Sequence, residues 1–187
     1  MLPGLPPGPP LYVYHFSEDP SIERFEPRLG RAIEGRPEGE LLVWAIDEHH
    51  APLYYFPRDC PRIVLWTLED STPADIERWL GGSSARMVAH IESAWEERLD
   101  QCRLYRYKLY ASGFETIQDH GVHVSAASHV PVSVEPVDNL RGRLQRSGVE
   151  LRVLDSLQPL ADAEVWNSTL HFSGMRLRNA LEWAATG

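Results

Sequence analysis

Thiols are scarce: the 187-residue chain holds two cysteines, Cys60 and Cys102. Two residues so far apart exclude both a disulfide framework and a zinc ribbon, which need paired or clustered thiols. The setting they suggest is a reducing cytoplasm. Long apolar runs are missing as well, so no membrane-spanning helix is expected. The N-terminal "MLPGLPPGPP" lacks the basic and apolar regions of a secretion signal. Positive charge is in deficit: 18 Lys and Arg against 27 Asp and Glu leave a net charge of -9. A surface of that sign does not supply the field that general nucleic-acid or anionic-membrane binding requires, although a local basic pocket is compatible with it. Neither a G-x-G-x-x-G or Walker loop nor a G-x-S-x-G elbow occurs, which argues against a Rossmann dinucleotide site and an elbow-type serine nucleophile.

What is present is a globular composition. The apolar fraction is 43%, with six Trp, seven Tyr and five Phe, far richer in aromatics than a disordered chain. The length suits one well-buried core, so a single domain over 11–187 is expected after a proline-rich, extended tail over 1–10. "LYVYHF", "LLVWAID" and "RIVLWTL" read as strands. "STPADIERWLGG" reads as a short helix with Thr72 as its cap, Pro73 at its first position and Gly81-Gly82 at its end. Met87, Ile91, Trp95, Leu99 and Cys102 recur at spacings of three and four, which predicts a helix over 84–102. "RLYRYKLYA" alternates like a strand wet on one side, and one or two strands are expected in "VHVSAASHVPVSVEPV". Asp138 is placed to cap a helix over 139–146, and "VELRVL" reads as a strand. A helical stretch is expected near 159–166. The fold class is α+β: a mixed or mainly antiparallel sheet of six or seven strands with three or four helices.

The polar ends of these elements supply candidate site residues. On strand one His15 and Ser17 share a face, and "LHFS" around His171 echoes "YHFS" around His15. In "YYFPRDCPR", Arg58 and Arg62 sit in a proline-stiffened segment suited to holding a phosphate or carboxylate, with Tyr54 or Tyr55 beside it to line a cleft. Internal ion pairing by those arginines is the competing reading. A metal site drawn from His49-His50, His120-x-x-His123 and His129 has spacings matching no ligand motif, so no metal is expected. Cys60 reads as a small buried residue rather than a nucleophile.

The blocks "YHFSEDPSIERFEPR", "VWAIDEHHAPLYYFPRDCPR" and "STLHFSGMRLRNA" resemble a bacterial family of uncharacterised proteins, which brings no activity with it. More distantly, a strand ending in Tyr-His is similar to the opening of ADP-ribosyltransferase-like domains. That resemblance implies NAD or a nucleotide-like ligand, with His15 at the ribose, Tyr54 or Tyr55 on the nicotinamide, and a glutamate, best matched by Glu135, as the polarising group. The catalytic residues it implies are therefore His15 and Glu135, with Ser17, Tyr54, Arg58, Arg62 and His171 in ligand contact. Whether the chain is an enzyme stays open. A noncatalytic interaction module rich in exposed aromatics and a small metal-dependent hydrolase are the competing classes.

Overall fold

The computed structural model describes residues 10–117, 121–160 and 163–181. The expected tail over 1–9 and His120 lie outside the described residues. Contacts divide the chain into two compact units, the first made of Met1–Ala51 with Leu104–Val137, the second of Pro52–Arg103 with Asp138–Gly187. The described strands are β1 (Tyr12–Ser17), β2 (Arg28–Leu29), β3 (Leu41–Ile46), β4 (Arg62–Trp66), β5 (Met87–Glu92), β6 (Leu104–Tyr110), β7 (Glu115–Thr116), β8 (Val122–Ser125), β9 (Ser133–Val137), β10 (Val149–Leu154) and β11 (His171–Met175). The helices are α1 (Pro73–Asp75), α2 (Glu96–Gln101), α3 (Leu140–Arg146) and α4 (Ala163–Trp166). The class is α+β.

The first unit carries one antiparallel sheet in the order β7-β8-β3-β1-β6-β9, with β2 also paired to β3. Alternation along β1 and β6 sends Val13, Tyr107 and Leu109 into a core with Phe25, Val43 and Ala45, while Arg106 and Lys108 take the other face, over the rings of Tyr14 and Tyr12 at 4.8 Å each. Tyr107 is fully buried, and its hydroxyl is satisfied by donating to the Asp19 carbonyl at 2.6 Å.

The second unit carries a four-stranded sheet in the order β10-β5-β4-β11. Only the β10–β5 pair is parallel, and β4 runs antiparallel to both β5 and β11. Every residue of β4 and β5 is buried, as expected of central strands covered on both faces. One face packs Ile63, Leu65 and Val88 with Leu80, Leu157, Val165 and Leu170. The helix α3 leads into β10 and contacts it and α2.

The helix expected over 84–102 is corrected by this sheet. Its first part is the strand β5, followed by a 3-10 turn over Ser93–Trp95 and then α2. A strand buried throughout has little polar alternation to mark a period of two, so apolar residues spaced by three and four mimic a helical stripe across three different elements. The cap of α3 also shifts by one residue. Asn139, at φ 52, accepts from the Gly142 amide, while Asp138 accepts from Arg103 at 2.5 Å. The expected ends hold: Thr72 accepts from the Asp75 amide at the start of α1, and Gly81 at φ 58 and Gly148 at φ 74 take left-handed positions that side chains resist.

Ile91, in β5, has no exposed surface. Ile91→Ala is expected to lower unfolding stability by about 3 kcal/mol. Leu29→Ala, at a position 70% exposed, should cost less than about 0.5 kcal/mol. Urea unfolding midpoints at constant slope measure both.

Candidate functional site

In the first unit, the polar end of β1 is a hydrogen-bonded turn. The Ser17 hydroxyl accepts from the Asp19 amide at 3.1 Å, and Asp19 accepts from the amide and hydroxyl of Ser21. Those two bonds hold the Asp19 carboxyl below its usual range. His15 Nδ1 lies 2.9 Å from the Trp44 carbonyl, and its ring lies against Phe25 at 4.7 Å. Glu135 is elsewhere. Across the sheet, Phe16 aligns with Arg106 and Arg106 with Glu135, whereas His15 aligns with Tyr107 and Tyr107 with Val134. Opposed residues share a face, so His15 and Glu135 occupy opposite faces and one ligand cannot touch both. Glu135 pairs with Arg106 at 3.0 Å, and Arg106 also reaches Glu48 at 2.8 Å. Burial first, then the Glu48 carboxylate, push the Tyr14 hydroxyl beneath them up to about 12.

Tyr54, Arg58, Arg62 and His171 belong to the second unit. The guanidinium of Arg62 is buried and donates to the carbonyls of Leu53 at 3.0 Å and Cys60 at 3.1 Å, and to Met175 Sδ. It lies 5.9 Å from the Tyr54 ring and 5.1 Å from that of Phe56. Burial lowers its pKa to about 10. Arg62 thus fastens the 53–60 loop with its donors, in place of the anion contact expected of it. Arg58 is exposed, and its carbonyl accepts from Arg176 at 3.2 Å. His171 packs on Trp66 at 4.0 Å, at the opposite end of the β4–β11 ladder from Arg62. Cys60 is buried, and desolvation pushes its thiol up to about 12, as an unreactive side chain.

A different set of residues in the second unit encloses an open hollow of about 600 Å³. Its wall comes from the segment after α1, where Ile76–Leu80 forms a wide π turn, a distortion often found at functional sites. This turn presents Trp79, half-buried, with the guanidinium of Arg78 4.8 Å above the indole. The floor is the sheet itself. β10 aligns Glu150, Arg152 and Leu154 with Val88, His90 and Glu92 of β5, and His90, Arg152 and Leu154 border the hollow. The remaining side is the segment after β10, with Asp155, Ser156, Pro159 and Leu160.

Polar contacts hold these parts together. Arg152 donates to the carbonyls of Leu80 at 2.6 Å and Trp79 at 3.4 Å, satisfying the end of the wide turn, and to Glu150 at 2.6 Å. The Ser83 hydroxyl donates to the other Glu150 oxygen, and these bonds hold the Glu150 carboxyl below its usual range. Glu92, 1% exposed, accepts from the Leu157 amide at 3.1 Å and fixes the far segment over the sheet. His90, 3% exposed, has Nδ1 3.3 Å from the Ile63 carbonyl. Burial, with the Arg152 charge adding to it, lowers its pKa to about 4. The imidazole is therefore neutral at pH 7. Arg78 pairs with Glu164 at the surface.

The family model described as a family of unknown function (DUF6886) matches residues 14–180. The chain belongs to that family. No curated protein and no solved structure matches the chain. Among the described residues, no group of three or more His, Cys, Asp or Glu could hold a metal ion, and no helix is long and apolar enough to cross a membrane.

None of the residues nominated for a site borders the hollow. Arg78 and Trp79 stood in the well-marked "IERWLGG" helix, where nothing signals a wide turn. His90 was legible only as a polar residue inside "MVAHIE", a signal that counts once that run is read as a buried strand. Arg152 was placed correctly on an alternating strand, but its partner strand was assigned as helix.

Because the folded-state pKa of His90 lies below its ordinary value of 6.5, the unfolded chain takes up a proton that the folded chain refuses. Stability should therefore fall as pH drops from 6.5 to about 4, by about 3 kcal/mol from this group alone. Urea unfolding across that range should show this loss in the wild type, and a correspondingly smaller slope in His90→Phe.

Proposed function

We propose that the chain is a small-molecule-binding protein whose ligand is nucleotide-like, joining a flat ring to an anionic group. One observation carries this reading: the hollow of about 600 Å³ has a flat Trp79 wall overlaid by the Arg78 guanidinium. Hollows of roughly 300–1,000 Å³ suit such ligands. An indole and a planar guanidinium offer stacking area to a ring, and the guanidinium offers charge to a phosphate or carboxylate. The hollow lies over the face of the parallel pair β5 and β10, with His90 and Arg152 side by side in its floor. This local cationic wall is compatible with an acidic chain, since it needs one or two arginines rather than a basic surface. Two buried free thiols suit a reducing, cytoplasmic setting.

Titration calorimetry with AMP, ADP and NAD should detect binding of at least one of them. Trp79→Ala should weaken it at least tenfold, and Arg78→Gln should weaken it severalfold. Absence of binding by all three, or binding that survives Trp79→Ala intact, overturns the reading.

A further inference from the structure

Resting on the reading of the hollow as a ligand site, we propose that His90 accepts a hydrogen bond from the inserted edge of the ligand's ring. The ligand then enters ring first and leaves its anionic group at Arg78. Two cations border the hollow, and their commitments differ. Arg152 is held by Glu150 and by the carbonyls of Trp79 and Leu80, so drawing it toward a ligand would undo the turn that makes the wall. Arg78 is 57% exposed and its partner is the equally exposed Glu164. A surface pair of this kind exchanges for another anion at little cost. The anion site is therefore the Arg78 side of the hollow.

The floor has the opposite character. A carbonyl oxygen only accepts, so the His90 Nδ1 facing Ile63 carries the hydrogen. In the neutral ring Nε2 is then an acceptor, on a side chain that borders the hollow. The charged groups near this ring are Arg152 and Glu150 on the neighbouring strand, and they are joined to each other. An N–H or O–H brought to this point gains a bond, and an alkyl group there displaces water and leaves the acceptor unmet. The ligand class follows: a heteroaromatic ring with an N–H on its leading edge and a phosphate or carboxylate behind it.

The test uses matched pairs of adenosine, inosine and uridine monophosphates. One member of each pair is unmodified, and the other has no N–H left on that edge: the adenine amino group carries two methyl groups, and the ring N–H of inosine or uridine is replaced by N-methyl. Calorimetry on the wild type should show the parent of a binding pair favoured by roughly ten- to a hundredfold. On His90→Phe, which keeps a ring but has no acceptor, the preference should shrink to within about threefold. Equal binding of both members to the wild type overturns the role of His90 and leaves the hollow as a ligand site. A preference that persists undiminished in His90→Phe also overturns it, since the methyl group then acts by bulk. If no nucleotide of the six binds, this inference falls, and the reading of the hollow falls with it when ADP and NAD fail as well. Should His90→Phe fail to fold, His90→Gln provides the comparison, and the wild-type pairs alone can still refute the donor requirement.

Discussion

The guanidinium of Arg152 is the contact on which the hollow depends. From β10 it reaches the last two carbonyls of the Ile76–Leu80 turn and, through Glu150, the hydroxyl of Ser83 just beyond that turn. The last carbonyls of a helical turn have few intrahelical donors; that of Leu80 also accepts from the Ser83 amide at 3.2 Å. Arg152 meets that need from the sheet and fixes the turn, with Trp79 on it, at a set distance from β5. Glu92 does the equivalent on the far side, holding Leu157 and Leu181 through their amides. A carboxylate and a guanidinium thus suspend two irregular segments over one sheet face, and the hollow lies between them.

The same arrangement sets the electrostatics of His90. The ring is nearly sealed from water and lies next to a permanent cation, so both desolvation and charge keep it neutral. Its one hydrogen is committed to the sheet's own backbone. His90 and Arg78 both border the hollow, the one neutral and nearly buried, the other charged and exposed.

What was legible in the sequence depended on whether an element had a wet side. β6 was read correctly because Arg106 and Lys108 alternate with Tyr107 and Leu109, and α1 because Thr72, Pro73 and Gly81 are local signals whose partners lie within a few residues. β5 departs from the helical expectation because it is buried throughout and opens with Met87, Val88 and Ala89, so that the alternation of His90 and Glu92 covers only its second half. That single misreading hid the site, since the register of β5 with β10 is what brings His90 beside Arg152. The sequence-based site failed for a related reason. His15 and Glu135 are both polar residues on strands, but which face each takes depends on a three-strand register, β1 to β6 to β9, that no local pattern encodes. Arg62, which follows Pro61 at the start of the buried strand β4, turns inward to serve its own loop. The family match over 14–180 agrees with the blocks noticed in the sequence, and it adds no activity.

The most direct measurement of the central claim is the tautomer and charge of the His90 ring, read by long-range proton–nitrogen NMR of labelled protein and assigned with His90→Phe. The account predicts a neutral ring at pH 6, with the hydrogen on Nδ1 and Nε2 bare. An imidazolium at that pH, or a ring with its hydrogen on Nε2, would contradict it.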